Sequence, residues 1–224
     1  MPHNPIIIAL DLDCKEQARK IVTAIGTATN FYKVGMELYA AAGMDFVKEL
    51  KDQGHQVFLD MKFYDIGETV KRAVSQVVKA GVDLLTVHGS KAVMHAAVEG
   101  RGDSTTLKLL GVTVLTSFDE SDLKDLGYPC TVEDLVALRV RNAVETKMDG
   151  IVCSPLELET LKQIALIKVV PGTRSLGADS GDQKRVATPA RAMADLATYL
   201  VIGRQVTRAA DPGAEVRRIL SEIQ

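Results

Sequence analysis

The feature that most constrains the fold is the recurrence of short segments rich in isoleucine, valine and leucine along a chain of 224 residues. Eight such segments predict β-strands: Ile6–Leu10, Phe31–Val34, Val57–Met61, Leu84–His88, Leu109–Leu115, Gly150–Cys153, Ile167–Val170 and Tyr199–Ile202. Most begin about 25 to 30 residues apart, the length of one strand and one crossover helix. Their nearly continuous hydrophobicity is typical of parallel strands that are covered on both faces.

The segments between the predicted strands have the signals of amphipathic helices. After Asp65, apolar residues recur at helical spacing, and Gly81 stands where such a helix commonly ends. Three further helix starts have the pattern of a capping box or of an N-cap residue followed by proline: Thr131 with Asp134, Thr188-Pro189 and Asp211-Pro212.

The alternation of eight strands with helices predicts a closed (β/α)₈ barrel, one domain over residues 1–224. An open doubly wound sheet is less favoured, because the first strand leads into ALDLD and not into a glycine-rich dinucleotide fingerprint. No linker or low-complexity tract divides the chain. Functional side chains in such barrels lie at the carboxyl ends of the strands, and we expect them there.

Composition excludes several classes of function. The formal net charge of −2, the aromatic content of 4% and the absence of tryptophan argue against nucleic-acid binding. No segment approaches the roughly 20 apolar residues that span a bilayer, and the start MPHNPIIIALDLD lacks the regions of a signal peptide. Widely spaced Cys14, Cys130 and Cys153 indicate free thiols in a reducing compartment. We therefore expect a cytoplasmic protein that binds neither nucleic acid nor membranes.

A dense group of charges follows the third predicted strand, in the sequence VFLDMKFYDI. Asp60, Lys62 and Asp65 fall within six residues at the mouth of a buried segment. Charges in such a position are costly unless they are paired. Alternating carboxylate and ammonium groups hold one another ionised, and they present both a repelling group and a proton donor to a substrate. The pattern therefore indicates a catalytic site.

Polar residues or turn residues end other predicted strands as well: Asp11, Lys33, His88, Thr116, Ser117 and Pro171. Each has a structural interpretation when it is taken alone. Asp11 is then a helix cap, and Lys33 is a lysine whose stem lies along the barrel rim. Thr116 and Ser117 are then caps of a turn or helix. For His88 we favour a structural, hydrogen-bonding role over a catalytic one.

The last quarter of the chain has the features of a phosphate site. Gly203 and Arg204, at the end of the eighth strand, can offer backbone N–H groups and a guanidinium to an anion. The loops after strands seven and eight of such barrels often bind phosphate. The loop PGTRSLGADSGDQKR, after the seventh strand, adds Arg174 and Gln183 and has the composition of a loop that closes over a ligand.

The segment DMKFYDI resembles the DxKxxDI signature of the orotidine 5′-phosphate decarboxylases. Similar blocks follow in that family's order over nearly the whole chain: ALDLD, KVGMEL, VLTS, PGTR, GDQKR and IGR. The motif DxKxxD alone also occurs in sugar-phosphate aldolases and decarboxylases. The sequences around Lys33, Gln183 and Arg204 favour the orotidine 5′-phosphate decarboxylases among these families. Two segments depart from the family's pattern: VHGSKAVM lacks paired glycines, and PGTR replaces the commoner PGIR.

The resemblance implies decarboxylation of orotidine 5′-monophosphate to uridine 5′-monophosphate, the last step of de novo pyrimidine synthesis, without metal or cofactor. By position, Lys62 resembles the proton donor to C6 of the pyrimidine. Asp60 is similar to the carboxylate that faces the substrate's own carboxylate. Lys33 would bond both Asp60 and the ribose, and Asp11 would bond the ribose hydroxyls.

The resemblance also implies a homodimer, in which catalytic Asp65 and substrate-binding Thr69 reach into the partner's site. The remaining implied contacts are with the pyrimidine, from Thr116 or Ser117 and from Pro171, and with the 5′-phosphate, from Arg174, Gln183, Gly203 and Arg204.

Two alternatives remain open. A metal-dependent sugar-phosphate aldolase or decarboxylase with the same barrel needs a further carboxylate near Lys62, but Leu59 precedes Asp60 and no other ligand is evident on that strand. A catalytically inactive barrel that binds nucleotides as a sensor or scaffold is expected to lack one of the charged residues of the site. Lys33, Asp60, Lys62 and Asp65 are all present.

Overall fold

The structure, a computed structural model, describes residues 4–176 and 187–223. Eight parallel strands form a closed barrel, in which each strand pairs with the next along the chain and the last pairs with the first. The strands are β1 (Ile6–Ala9), β2 (Phe31–Gly35), β3 (Gln56–Phe63), β4 (Leu84–His88), β5 (Lys108–Val112), β6 (Gly150–Val152), β7 (Ile167–Pro171) and β8 (Tyr199–Ile202). The predicted (β/α)₈ barrel is confirmed.

Helices follow the strands on the outside of the barrel. They are α1 (Lys15–Ile25), α2 (Met36–Asp52), α3 (Gly67–Lys79), α4 (Lys91–Arg101), α5 (Glu120–Asp125), α6 (Val132–Glu145), α7 (Pro189–Ala194), α8 (Arg204–Thr207) and α9 (Pro212–Glu222). The prediction of a helix after every strand is wrong between β6 and β7. That crossover, all of it described, has a 3₁₀ turn at Pro155–Glu157 and further tight turns, because Leu161 and Ile164 bond carbonyls three residues back.

Strand residues alternate between two apolar cores. One core fills the barrel: Ile7, Ala9, Phe31, Phe58, Leu84, Leu110, Val169 and Val201. The other lies between the strands and the helices, and β1 contributes Ile6 and Ile8 to it. Since successive side chains of a strand point to opposite faces, a residue's position in its strand decides which core it joins.

The observed strand bounds follow the predicted ones closely, with one exception. Leu84–His88 and Tyr199–Ile202 have the predicted bounds, and most others differ by one or two residues at an end. The prediction is wrong for Leu109–Leu115, because β5 ends at Val112. The apolar run continues past the strand because Val114 and Leu115 line a cavity at the carboxyl end of the barrel.

The predicted helix signals are confirmed. Gly81, with φ of 71°, follows the end of α3 and its N–H donates to the Val78 carbonyl. The predicted cap side chains accept from backbone N–H groups: Thr131 from Asp134, Thr188 from Arg191 and Asp211 from Ala214.

Two negative findings concern the described residues. None of their helices has the length and apolar character that crossing a bilayer requires. The three cysteines, all of which lie in this part of the chain, form no disulfide with one another.

The packing of α4 on α3 requires a glycine at position 100. A Cβ at Gly100 would lie 2.3 Å from the backbone oxygen of Lys71, which cannot move aside as a flexible side chain can. Gly100→Ala is therefore expected to lower the free energy of unfolding by about 1 to 3 kcal/mol, measured by urea unfolding. Gly67→Ala is the control, because its Cβ would meet Ala96 Cβ at an ordinary 3.5 Å. An unchanged unfolding midpoint for Gly100→Ala would contradict this account.

Candidate active site

The charged groups of the site stand directly above the apolar layer inside the barrel. In β2, Phe31 belongs to that layer and Lys33 is the next residue on the same face. In β3, the same step leads from Phe58 to Asp60. Because side chains two residues apart in a strand point the same way, both charged groups face the carboxyl end of the barrel interior.

Asp60 lies between two lysines. Lys62 Nζ donates to Asp60 Oδ1 at 2.9 Å, and Lys33 Nζ lies 3.6 Å from Asp60 Oδ2. Lys33 Nζ also donates to Asp11 Oδ1 at 2.7 Å. The exposed fraction of the side chain falls from 53% for Asp11 to 15% for Asp60 and 9% for Lys33. Carboxylate and ammonium groups therefore alternate along the contacts from Asp11 through Lys33 and Asp60 to Lys62.

These positions exclude the structural interpretations of two residues. Asp11 does not cap α1, because the N-cap of that helix is Cys14. Lys33 is buried and bonded to a carboxylate, so its stem does not lie along the rim as a solvated lysine would.

The Asp60 carboxyl is held in its ionised form. Burial by itself would raise its pKa, but the ammonium groups of Lys33 and Lys62 and hydrogen bonds from Lys62 and Thr86 outweigh burial, so the pKa lies below its ordinary value of 3.8. The Thr86 hydroxyl donates to Asp60 Oδ1 at 2.9 Å. The site therefore presents a fixed negative charge flanked by two positive ones.

Sequence analysis did not identify two residues on which this arrangement depends, Thr86 and Gly35. Thr86 stands in β4 two residues after Leu84, the same step that leads from Phe58 to Asp60, and that spacing was a usable signal. Gly35 lets the ion pair approach the backbone, because a Cβ there would lie 2.7 Å from Asp11 Oδ1 and 2.8 Å from Lys33 Nζ. A side chain at that position would displace the ion pair, so glycine allows the two charged groups to lie where they do.

The charges open into a cavity of about 850 Å³ at the carboxyl end of the barrel. Ten of the predicted site residues line it: Asp11, Lys33, Asp60, Lys62, Thr116, Ser117, Pro171, Arg174, Gly203 and Arg204. Its volume is within the range of sites that enclose small molecules. Most of the predicted site residues therefore lie around one space.

The part of the cavity formed by the chain after β7 and β8 is positively charged. Arg174 and Arg204 line it, and Gly203 is the N-cap of α8. Arg208 adds a third guanidinium that sequence analysis missed, although its spacing of one helical turn from Arg204 was a signal for it. Guanidinium groups pair well with phosphate, so this end of the cavity suits an anionic group.

The wall formed by the chain after β5 and by β7 combines apolar and hydroxyl groups. Val114 and Pro171 contribute apolar surface, and Thr116 and Ser117 contribute hydroxyls. Neither hydroxyl residue caps the next helix, because the N-cap of α5 is Asp119. The wall therefore offers a ligand both apolar contact and hydrogen-bonding groups.

Two of the predicted site residues that the structure describes do not line the cavity. Asp65 and Thr69 lie outside it, and Asp65 is exposed with its Oδ1 accepting the Ile66 N–H at 2.7 Å. Exposed apolar side chains flank Asp65, with Tyr64 at 69% and Ile66 at 73% exposure. Gln183 lies outside the described residues.

His88 makes structural contacts beside the site. Its ring stacks on Tyr64 with centroids 4.1 Å apart, and its Nδ1 accepts the Ser90 N–H at 3.2 Å. Burial, followed by the nearby Arg139 guanidinium, lowers the pKa of His88 to about 4, so the ring is neutral at neutral pH. His88 does not line the cavity, which agrees with the structural role that we favoured.

No group of three or more histidine, cysteine, aspartate and glutamate side chains within residues 4–176 and 187–223 is arranged as a set of metal ligands. Among the described residues, the carboxylates that line the cavity are Asp11, Glu37 and Asp60, and Asp11 and Asp60 are engaged by Lys33 and Lys62.

Known proteins resemble this chain in both sequence and fold. The model of the "Orotidine 5′-phosphate decarboxylase / HUMPS family" matches residues 4–219. Orotidine 5′-phosphate decarboxylase of Nitrobacter winogradskyi is 48% identical over 226 aligned positions, which cover 100% of this chain and 94% of the relative. The enzyme of the same name from a Caulobacter species is 45% identical, with 97% of this chain and 96% of the relative covered.

The fold of this chain is also similar to that of a solved structure. The crystal structure of orotidine 5′-phosphate decarboxylase from Lactobacillus acidophilus superposes with a TM-score of 0.87 at 33% identity, and the match covers 99% of this chain and 100% of that one. The chain belongs to the orotidine 5′-phosphate decarboxylase / HUMPS family.

Proposed function

We propose that this protein decarboxylates orotidine 5′-monophosphate to uridine 5′-monophosphate, the last step of de novo pyrimidine synthesis, without a cofactor. The observation on which the proposal rests is Asp60 held between Lys33 and Lys62 at the bottom of a nucleotide-sized cavity. The curated relatives that cover its full length at 43–48% identity are named as enzymes of this reaction. No observation favours the metal-dependent sugar-phosphate alternative.

The cavity matches the three parts of the substrate. The 5′-phosphate binds at the positive end, with Arg174, Arg204 and the Gly203 backbone, and with Gln183 as the resemblance implies. The pyrimidine lies against Pro171 with its polar edge at Thr116 or Ser117. The ribose hydroxyls then meet Asp11 and Lys33, which form an ion pair in the same cavity.

The charged residues carry out the chemical step. Loss of carbon dioxide from C6 leaves an electron pair on the ring, and an ammonium fixed nearby stabilises that charge. Lys62 supplies the ammonium and then donates its proton to C6. The Asp60 carboxylate, kept ionised by the two lysines, disfavours the substrate's carboxylate beside it and favours its departure.

The active unit is a homodimer in which each chain lends Asp65 and Thr69 to its partner's site. Supporting this arrangement, Asp65 lies outside the cavity of its own chain, and Tyr64 and Ile66 beside it expose large apolar surfaces. Exposed apolar side chains of this size are common at subunit contacts.

We also propose that the enzyme works in the cytoplasm, for which the net charge and the absence of a disulfide are suitable.

Removal of the proton donor tests the reaction itself. The parent chain is expected to lower the absorbance of orotidine 5′-monophosphate at the same rate with and without a chelator. Lys62→Ala is expected to reduce kcat by about 10⁴-fold or more while uridine 5′-monophosphate still binds in a calorimeter. Lys48→Ala, an exposed lysine on α2, is the control and is expected to match the parent. Near-normal turnover by Lys62→Ala would contradict the proton-donor role, and a chelator-sensitive parent would revive the metal-dependent alternative.

Arg204 is expected to recognise the phosphate and no other part of the ligand. Arg204→Ala loses a charge-assisted hydrogen bond, which corresponds to about 1.5 to 3 kcal/mol, or roughly 10- to 150-fold in Kd for uridine 5′-monophosphate. Affinity for unphosphorylated uridine is expected to stay unchanged. Arg72→Ala, an exposed arginine on α3, is the control. If the ratio of the two affinities in Arg204→Ala equals that of the parent, the assignment is wrong.

Mixing two inactive variants tests the exchange of Asp65 between subunits. A heterodimer of Asp65→Ala and Lys62→Ala has one site with both residues intact if Asp65 serves the partner, and none if it serves its own chain. Coexpression is therefore expected to restore about a quarter of the parent activity, because half of the dimers are mixed and each mixed dimer has one intact site. Each variant alone is the control. Absence of activity in the purified heterodimer would contradict the shared site.

A further inference from the structure

The strand β3 leaves its regular pairing with β4 at the catalytic residues. Leu59 pairs with Leu85, and the next pair is Phe63 with Val87. Three residues of β3 therefore stand opposite a single residue of β4, which is Thr86. A bulge of this kind leaves backbone groups without their usual partners in the ladder.

The backbone of Lys62 is strained within this bulge. Its φ is 48°, in the left-handed region, and it is the only described non-glycine residue of a barrel strand with a positive φ. A residue with a Cβ adopts this conformation at a cost in free energy, so other contacts must hold it there. Such outliers commonly occur at functional sites, and Lys62 lines the cavity.

The hydroxyl of Thr86 holds the two catalytic residues together. Lys62 N–H donates to Thr86 Oγ1 at 2.9 Å, and Thr86 Oγ1 donates to Asp60 Oδ1 at 2.9 Å. The direction of both bonds is fixed, because the amide can only donate and an ionised carboxylate can only accept. Lys62 Nζ, which also donates to Asp60 Oδ1, completes a closed ring of hydrogen bonds.

We propose that Thr86 is a positioning residue for the decarboxylation, whose hydroxyl fixes the Lys62 backbone and the Asp60 carboxylate relative to each other. The inference rests on the proposed function, because it concerns the geometry of that reaction. Thr86 is fully buried and is not among the residues that line the cavity, so it acts through its two neighbours and not on the substrate.

Loss of the hydroxyl has a different consequence from loss of volume. Valine has nearly the shape of threonine, but it neither accepts the Lys62 N–H nor donates to Asp60. The bulge then has an unpaired amide, and the left-handed turn loses the contact that holds it. Because small displacements of reacting groups lower rates steeply, the chemical step is expected to suffer more than ligand binding.

The test compares Thr86→Val with Thr86→Ser and with a matched buried threonine. Thr86→Val is expected to lower kcat by roughly 100-fold while Kd for uridine 5′-monophosphate changes by less than about threefold. Thr86→Ser, which keeps the hydroxyl, is expected to recover most of kcat. Thr29→Val is the control, because Thr29 Oγ1 also donates to an acceptor, the Ile6 carbonyl, and accepts a backbone N–H, from Phe31. It lies before β2, at the opposite end of the barrel, and is expected to lower stability without lowering kcat.

A second pair of variants guards against failure of Thr86→Val to fold. Thr86→Ser and Thr86→Ala both lack the methyl group and differ only in the hydroxyl, so a much lower kcat for alanine supports the proposal. Equal kcat values for serine and alanine, or a parent-like kcat for Thr86→Val, would overturn it. A loss of kcat in Thr29→Val as large as that in Thr86→Val would also overturn it, because general destabilisation would then explain both.

Amide hydrogen exchange at Lys62 separates this proposal from the proposed function. The Lys62 N–H is expected to be protected in the parent and in Thr86→Ser, and to exchange faster in Thr86→Val, by NMR. Unchanged exchange in Thr86→Val would overturn the role of Thr86 even in an active enzyme. A parent that does not decarboxylate orotidine 5′-monophosphate would overturn the proposed function, while the exchange measurement would still test the hydrogen-bonded ring.

Discussion

The contacts of Asp60 with Lys33 and Lys62 determine how the rest of the site is arranged. A carboxylate at this depth takes up a proton unless positive charges face it, and two neighbouring lysines repel each other unless a negative charge stands between them. The three charges are therefore stable only as a group. Any change that moves either lysine weakens the interaction that keeps Asp60 ionised, so the scaffold must hold all three at fixed distances.

The barrel supplies that rigidity at a local cost in conformational freedom. The apolar layer beneath the site is closed on all sides by the eight strands, so Lys33 and Asp60 rest on a packed floor. Gly35 has no side chain, and the ion pair of Asp11 and Lys33 lies close to its backbone. Lys62 adopts a left-handed conformation in a bulge. These irregularities lie next to the charges, where function and not stability determines the geometry.

The sequence predicted the barrel because apolar periodicity reflects burial, and it predicted the charged residues because buried charge is rare. It failed where one signal has two causes. The apolar run continues past Val112 because the following residues line the cavity, although β5 itself ends at Val112. Thr86 was missed because threonine is common in strands of every kind. The left-handed backbone at Lys62 could not be predicted, because lysine has no preference for that conformation. The role of Asp65 stays a prediction, because the site that it is expected to complete belongs to a second chain.

The charges that line the cavity are unevenly distributed, which favours one orientation of the proposed substrate. Arg174, Arg204 and Arg208 form its positive end, whereas the reactive end presents the Asp60 carboxylate beside its two lysines. In the proposed reaction, the arginines attract the phosphate of the substrate, whereas Asp60 repels its carboxylate. Because the same barrel holds both groups of residues, the proposal implies that binding energy gained at the phosphate offsets the unfavourable contact where carbon dioxide departs.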